Sequence, residues 1–226
     1  VYEKERLKNQ AEIKMLQAQI HPHFLFNTLE SLYWTLIEKQ EEEGPKIVIA
    51  LSRLFRYTIK TSEGDGWTRL ADEIDHCQMY LEIIQYRLGP RLRWDYHVDP
   101  SVLNARLPKL LIQPLVENAI QHGIEPKVGV GRVKLSICSL HGDGEPYLKV
   151  RVEDDGVGMS AETLEQLKKQ LASCSGMQVE HPGLGLLNVQ RRIKLYYGEK
   201  YGIEIESSPQ RGTVTELNIP LREMDP

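Results

Sequence analysis

Cysteine is scarce: three in 226 residues, Cys77, Cys138 and Cys174, far apart and without a CxxC pair. An odd, scattered count argues against a disulfide framework or a structural zinc site and fits a reducing compartment. Long apolar runs are missing too. Nothing approaches the roughly 18 to 20 residues of a membrane-spanning helix, and no signal-peptide pattern opens the chain. The formal charge of −4 gives no electrostatic case for nucleic acid, which wants a basic domain or stripe. Internal repeats and low-complexity tracts are also absent. What remains is 41% hydrophobic and 27% charged, ordinary for a soluble globular chain that holds one large domain or two small ones. The charged helical start at Val1 suggests a piece of a longer chain.

Residues 1–38 read as one helix. From Ala11 the seam Ala11, Met15, Ala18, Pro22, Leu25, Leu29, Leu32 and Leu36 alternates steps of four and three, a heptad pattern. "KQEEEGPK" then breaks the helix with a charge run, a Gly and a Pro. A second helix over about 46–62 carries the stripe Ile47, Leu51, Leu54 and Thr58. One helical hairpin has too little core to stand alone, and two copies would form a four-helix bundle.

After the linker "TSEGDGW" (61–67) the pattern changes. A helix is expected over about 71–88, a strand in "RLRWDYHVD", and a long apolar helix through "PKLLIQPLVENAIQHGI" (108–124). Strands follow over 131–140 and 146–154, then helices at about 160–171 and in "LGLLNVQRRIKLYYG", and a closing hairpin "IEIESS…TVTELNIPL". The fold class is α+β, with helices on one face of a mixed sheet.

Three stretches of this second half carry chemistry together: "ENAIQHG" (117–123), "DDGVG" (154–158) and "GLGLLN" (183–188). Asp154 ends a strand, where its carboxylate can accept a hydrogen bond from an exocyclic amine. Gly156 and Gly158 let backbone pass close to a flat ring. Gly183 and Gly185 open a helix whose free N–H groups and dipole suit phosphate. Asn118 offers a neutral oxygen suited to Mg²⁺ beside phosphates; a satisfied buried amide is the other reading of that residue.

These stretches, in this order, resemble the N box and the two glycine boxes of the GHKL (Bergerat) ATP-binding fold, and "GTVTELNIP" (212–220) resembles its closing Gly-Thr strand. "QIHPHFLFNTLESL" together with "LIQPLVENAIQHGI" is similar to the LytS/YesM-type sensor histidine kinases, over nearly the whole chain. The resemblance implies a helical dimerisation and phosphoacceptor domain (1–62) forming a dimeric four-helix bundle, then a GHKL α/β sandwich (66–226). It also implies autophosphorylation from ATP and Mg²⁺, phosphotransfer to an aspartate of a response-regulator receiver domain, no direct nucleic-acid partner, and a cytoplasmic domain behind a membrane-linked sensor segment of a bacterial inner-membrane protein.

Carried over by position, His23 matches the phosphoacceptor and Asn118 the Mg²⁺ ligand. His122 and Gly123 complete the N box, and Asp154 matches the adenine-reading aspartate. Gly156 and Gly158 match the hinge glycines, and Gly183, Leu184, Gly185 and Leu186 the phosphate side. Thr213 matches the threonine near adenine, and 172–182 the ATP lid. Asn27 resembles the position where other histidine kinases orient water for phosphatase chemistry. Two positions depart from the pattern: Gln121 stands where the family often has Lys, and Asp155 where it often has Asn. Phe24 follows His23 in place of an acid, so the proton acceptor must lie elsewhere, in Glu117 or Glu30. Two other readings are open: a gyrase- or chaperone-type ATPase with Glu117 activating water, and a dimeric scaffold that binds nucleotide without turnover.

His21 and His23 cannot share a metal on a helix, because residues two apart point about 200° apart. Pro22 takes the seam position. His23 lies just outside it, on the face shared with Asn27 and Glu30.

Overall fold

The computed structural model describes residues 66–141, 145–173 and 184–222, with isolated positions at 28, 31, 35, 44 and 50. All five isolated residues are helical. Gly44 is among them, although the sequence predicts a break there. It is buried, although a glycine in a helix interior costs ~1 kcal/mol. Ala50 packs against the core of the second half.

That core is built on a five-stranded sheet. Its strands are β2 (Leu92–Val98), β4 (Gly131–His141), β5 (Pro146–Asp154), β6 (Gly202–Ser208) and β7 (Gly212–Pro220), in the order β2-β4-β5-β7-β6. Only β2 and β4 run parallel; the other pairs are antiparallel, which gives the mixed sheet that the sequence predicts. Alternation along each strand sorts the faces. Val133, Leu135, Ile137, Leu148, Val150, Val152, Leu217 and Ile219 point into the core. The other face carries ion pairs, with Glu216 held by Lys149 at 2.7 Å and by Arg151 at 2.6 Å.

Helices α1 (Leu70–Leu88), α2 (Gln113–Asn118), α3 (Ala161–Ala172) and α4 (Leu184–Tyr197) contribute the other half of the core. Leu70, Ile74, Cys77, Leu81 and Ile84 of α1 are buried at helical spacing. A small second sheet pairs β1 (Trp67–Arg69) with β3 (Arg106–Pro108). Among the described residues no helix is long and apolar enough to cross a membrane.

One expectation fails. Residues 108–124 are not a single helix. Pro108 ends β3, Leu110 sits at φ 56°, and α2 begins only at Gln113, with a proline in its first turn. The N–H groups of Leu110, Leu111 and Ile112 go to the buried carboxylate of Glu73 on α1, at 2.6, 3.0 and 3.2 Å. Those donors are therefore satisfied outside a helix. After Asn118 the chain widens into a π-helical turn, Ala119–Ile124, closed by Glu125 N–H on Ile120 C=O at 2.9 Å. Such turns re-aim side chains and recur at functional sites.

Candidate functional site

The three chemical stretches converge. A cavity of about 300 Å³ is lined by Asn118, His122 and Gly123 from the α2–π segment, Asp154 and Gly158 from the turn after β5, Leu186 from α4, and Thr213 from β7. Sheet register explains much of this. Asp154 ends β5 directly opposite Thr213 on β7 and Val133 on β4, so carboxylate and hydroxyl reach the same inner edge.

Asp154 is 5% exposed. Its Oδ1 accepts from Gly156 N–H at 2.8 Å. Burial pushes its pKa up to about 6, against the N–H groups of Gly156 and Thr213 that hold it down. The Thr213 hydroxyl lies 2.9 Å from Ser207 Oγ, which also takes the N–H of Met159 at 2.9 Å. One serine thus fixes both the threonine and the turn beyond the glycines.

The glycines have specific jobs. Val157 N–H donates to Gly123 C=O at 3.1 Å, bringing two backbone segments together, and a Cβ on Gly156 would overlap the Gly123 backbone. Gly158 sits at φ +64°, where a side chain would strike Ser208 C=O. Gly156→Ala is therefore expected to cost about 1–3 kcal/mol of stability, as overpacking does. A urea titration of both proteins, scored by midpoint, checks this.

The extra charge of Asp155 does not enter the cavity. Its Oδ1 accepts from Lys127 Nζ at 2.9 Å and from Arg132 N–H at 2.7 Å. Gln121 is half-buried and is not among the lining residues. Gly185 faces Pro114 at the start of α2 rather than the cavity. Leu184 opens α4, while Gly183 and residues 174–182 lie outside the described residues, as do His23, Asn27 and Glu30.

Glu117 also points elsewhere. It is 6% exposed, accepts from Gln113 Nε2 at 2.7 Å and does not line the cavity. Burial lifts its pKa from 4.5 to about 7. The folded state thus keeps a proton that the unfolded chain releases, so stability declines as pH rises from about 4.5 to 7 and then levels. Asp154 adds a slope of the same sign up to about pH 6. Glu117→Gln is expected to remove most of the slope between pH 6 and 7 and to exceed the wild type in stability at pH 8. Urea midpoints across that range test it.

Residues without a motif complete the wall. Met159 and the α3 face Thr163, Gln166, Leu167 and Gln170 line the cavity, with Leu187 of α4. Their spacing of three and four is a legible helix face, but Thr, Gln and Leu in that pattern specify no chemistry. Ser160 caps α3 by accepting from Thr163 N–H at 3.1 Å.

The cavity fits a nucleotide on its own terms: a buried carboxylate acceptor at one wall, glycine backbone beside it, and an amide oxygen on a facing helix. Among the described residues no cluster of three or more His, Cys, Asp or Glu could hold a metal alone. A divalent cation there would rely on Asn118 together with oxygens of the nucleotide, as Mg²⁺ commonly does.

A family model described as histidine kinase matches residues 11–92, and one described as histidine kinase-, DNA gyrase B- and HSP90-like ATPase matches residues 104–223. The chain belongs to this ATPase family and, within it, to the sensor histidine kinases of the LytS and YesM type. Sensor histidine kinase YesM of Bacillus subtilis (strain 168) is 35% identical over 220 residues, 97% of this chain and 35% of that protein. Sensor protein LytS of the same strain is 30% identical over 220 residues, again 97% of this chain and 35% of that protein. The chain thus spans about a third of the length of these curated relatives. Among solved structures, the catalytic domain of histidine kinase ThkA matches with a TM-score of 0.50 at 20% identity, covering 69% of this chain and 98% of that one, a likeness of fold.

Proposed function

We propose that the chain is the kinase portion of a two-component sensor: it phosphorylates His23 from ATP and passes the phosphoryl group to an aspartate of a response-regulator receiver domain. The observation that supports this best is the meeting of Asp154, Thr213, Asn118 and Gly158 at one cavity, in a chain whose N-terminal part carries "HPHFLFN". Residues 1–62 form the dimerisation and phosphoacceptor domain and residues 66–226 the ATP-binding domain, working as a homodimer. The protein is the kinase part of a sensor, as its relatives' names suggest, and the family resemblance implies that this part is the cytoplasmic portion of a membrane-attached protein.

In this reading Asp154 accepts from the adenine amine and the hydroxyl of Thr213 lies beside it. Asn118 holds Mg²⁺, which when bound neutralises phosphate charge. The start of α4, from Leu184 to Leu186, meets the phosphates with free N–H groups, and Gly183 precedes it in the sequence. His23 attacks the γ-phosphorus with a neutral ring nitrogen, available near pH 7 at an ordinary pKa of ~6.5. The bond from γ-phosphorus to the bridging oxygen breaks, ADP leaves, and the second ring nitrogen sheds its proton. Of the two candidate acceptors Glu30 is favoured, because the Glu117 carboxylate is held by Gln113 off the cavity wall. The same placement speaks against an ATPase that activates water with Glu117. Asn27, four residues after His23 in the sequence, orients water for dephosphorylation.

The test is a chase. Protein labelled with γ-labelled ATP is mixed with a receiver domain, and the label should move to the receiver. ATP consumption without labelled protein would replace this reading with the ATPase, and nucleotide binding with neither would replace it with the scaffold.

A further inference from the structure

The segment that launches α2 is held by two buried charges of opposite sign. Glu73 of α1, fully buried, accepts from the N–H groups of Leu110, Leu111 and Ile112. Arg192 of α4, 4% exposed, donates from Nη1 to Leu110 C=O at 2.8 Å and from Nη2 to Lys109 C=O. A buried carboxylate and a buried guanidinium each carry a large desolvation penalty unless hydrogen bonds satisfy them. Here both make hydrogen bonds to one short piece of backbone. That backbone is irregular: Leu110 has φ 56°, a conformation that a branched side chain adopts only when its surroundings enforce it.

The two ends of this clamp belong to the site. Ile112 caps α2, and its C=O takes the N–H of Leu115 at 3.0 Å, so the clamped residues fix the start of the helix that ends at Asn118. Arg192 lies seven residues after Gly185 on α4. Two turns of a helix return to the same face, and Gly185 faces Pro114 of α2. The phosphate-side helix therefore meets the segment that leads to Asn118 along one face, with Gly185 beside Pro114 and a guanidinium fork at Arg192. Neither Glu73 nor Arg192 lines the cavity.

We infer that Arg192 and Glu73 are positioning residues of the nucleotide site: they set the distance and rotation between the α2 segment that presents Asn118 and the α4 helix that faces the phosphates. The adenine end is built by Asp154 and Thr213 on β5 and β7, strands to which neither residue of the clamp belongs. This rests on the nucleotide reading above and predicts that the clamp governs the phosphate and Mg²⁺ half of the site alone.

The experiment measures binding of three probes to the full chain by calorimetry: adenosine, ATP in EDTA, and ATP with Mg²⁺. Arg192→Gln should leave adenosine affinity within about twofold while reducing by about tenfold the gain that Mg²⁺ gives to ATP. Arg192→Lys retains a cation but not the planar fork and should recover part of that gain. It also carries the test if Arg192→Gln does not fold. Glu73→Gln, which keeps one acceptor oxygen, should fall between the wild type and Arg192→Gln. Equal weakening of adenosine and Mg²⁺-ATP, or no change in either, overturns the inference while the nucleotide reading stands. Failure of the wild type to bind ATP overturns both.

Discussion

Asp154→Asn is expected to weaken ATP binding by about 10- to 100-fold, the loss of a hydrogen bond to a charged acceptor of ~1.5–3 kcal/mol. The substitution is nearly isosteric, and an asparagine oxygen can keep the bond that Oδ1 now takes from Gly156 N–H. The amide nitrogen then faces the cavity as a donor, opposite a base amine that is also a donor. Folding should survive, because the carboxylate charge, whose burial raises the Asp154 pKa to about 6, is removed at the same time. The same residue gives a pH profile. Above pH 6 Asp154 is ionised and accepts; as pH falls through about 6 it takes a proton, and nucleotide affinity should drop. Calorimetric titration of ATP at pH 5, 6, 7 and 8 should show that fall in the wild type and its absence in Asp154→Asn.

His23→Gln is expected to abolish autophosphorylation, and His21→Gln to leave it within about twofold, as surface substitutions usually do. Glutamine has no nitrogen lone pair able to attack phosphorus, so the expected loss is complete rather than graded. The distinction between the two histidines rests on helix geometry. On the helix that the sequence predicts they would point about 200° apart, with Pro22 between them at a seam position. On that predicted helix His23, and not His21, would share a face with Asn27 and Glu30. Labelling of the three proteins side by side checks it, with ATP affinity measured in each to show that the cavity is intact.

Periodicity and turn chemistry were enough to read the larger elements. Strands β4 and β5 alternate cleanly, and "HGDGEP" marks the turn between them. The α1 stripe Ile74, Cys77, Leu81, Ile84 is buried as its spacing predicts. The site was legible where a motif needs particular backbone. Asp154, Gly158, Thr213, Asn118 and Leu186 meet at one cavity because strand register and helix starts place them there.

What was not legible had tertiary causes. The run "KLLI" looks helical in isolation, yet the Glu73 carboxylate, 37 residues upstream of Leu110, takes its amides. The pairing of β1 with β3 spans three residues a side, too few for alternation to show, and Trp67 sits in what reads as a glycine-rich linker. Ser207 is an ordinary strand serine until β6 and β7 pair and set it beside Thr213. The cavity wall on α3 is a helix face without a chemical motif. Glu117, adjacent to Asn118 in the N box, was one of two candidate proton acceptors, but one step along a helix turns a side chain by about 100°, and it bonds Gln113 off the cavity wall.

The most direct measurement of the central claim is the chemical stability of the bond formed when the chain is incubated with Mg²⁺ and γ-labelled ATP. A phosphorylated imidazole predicts label that survives alkali, is released by acid, and is absent from His23→Gln. Label that is stable to acid, or that persists in His23→Gln, would contradict the account.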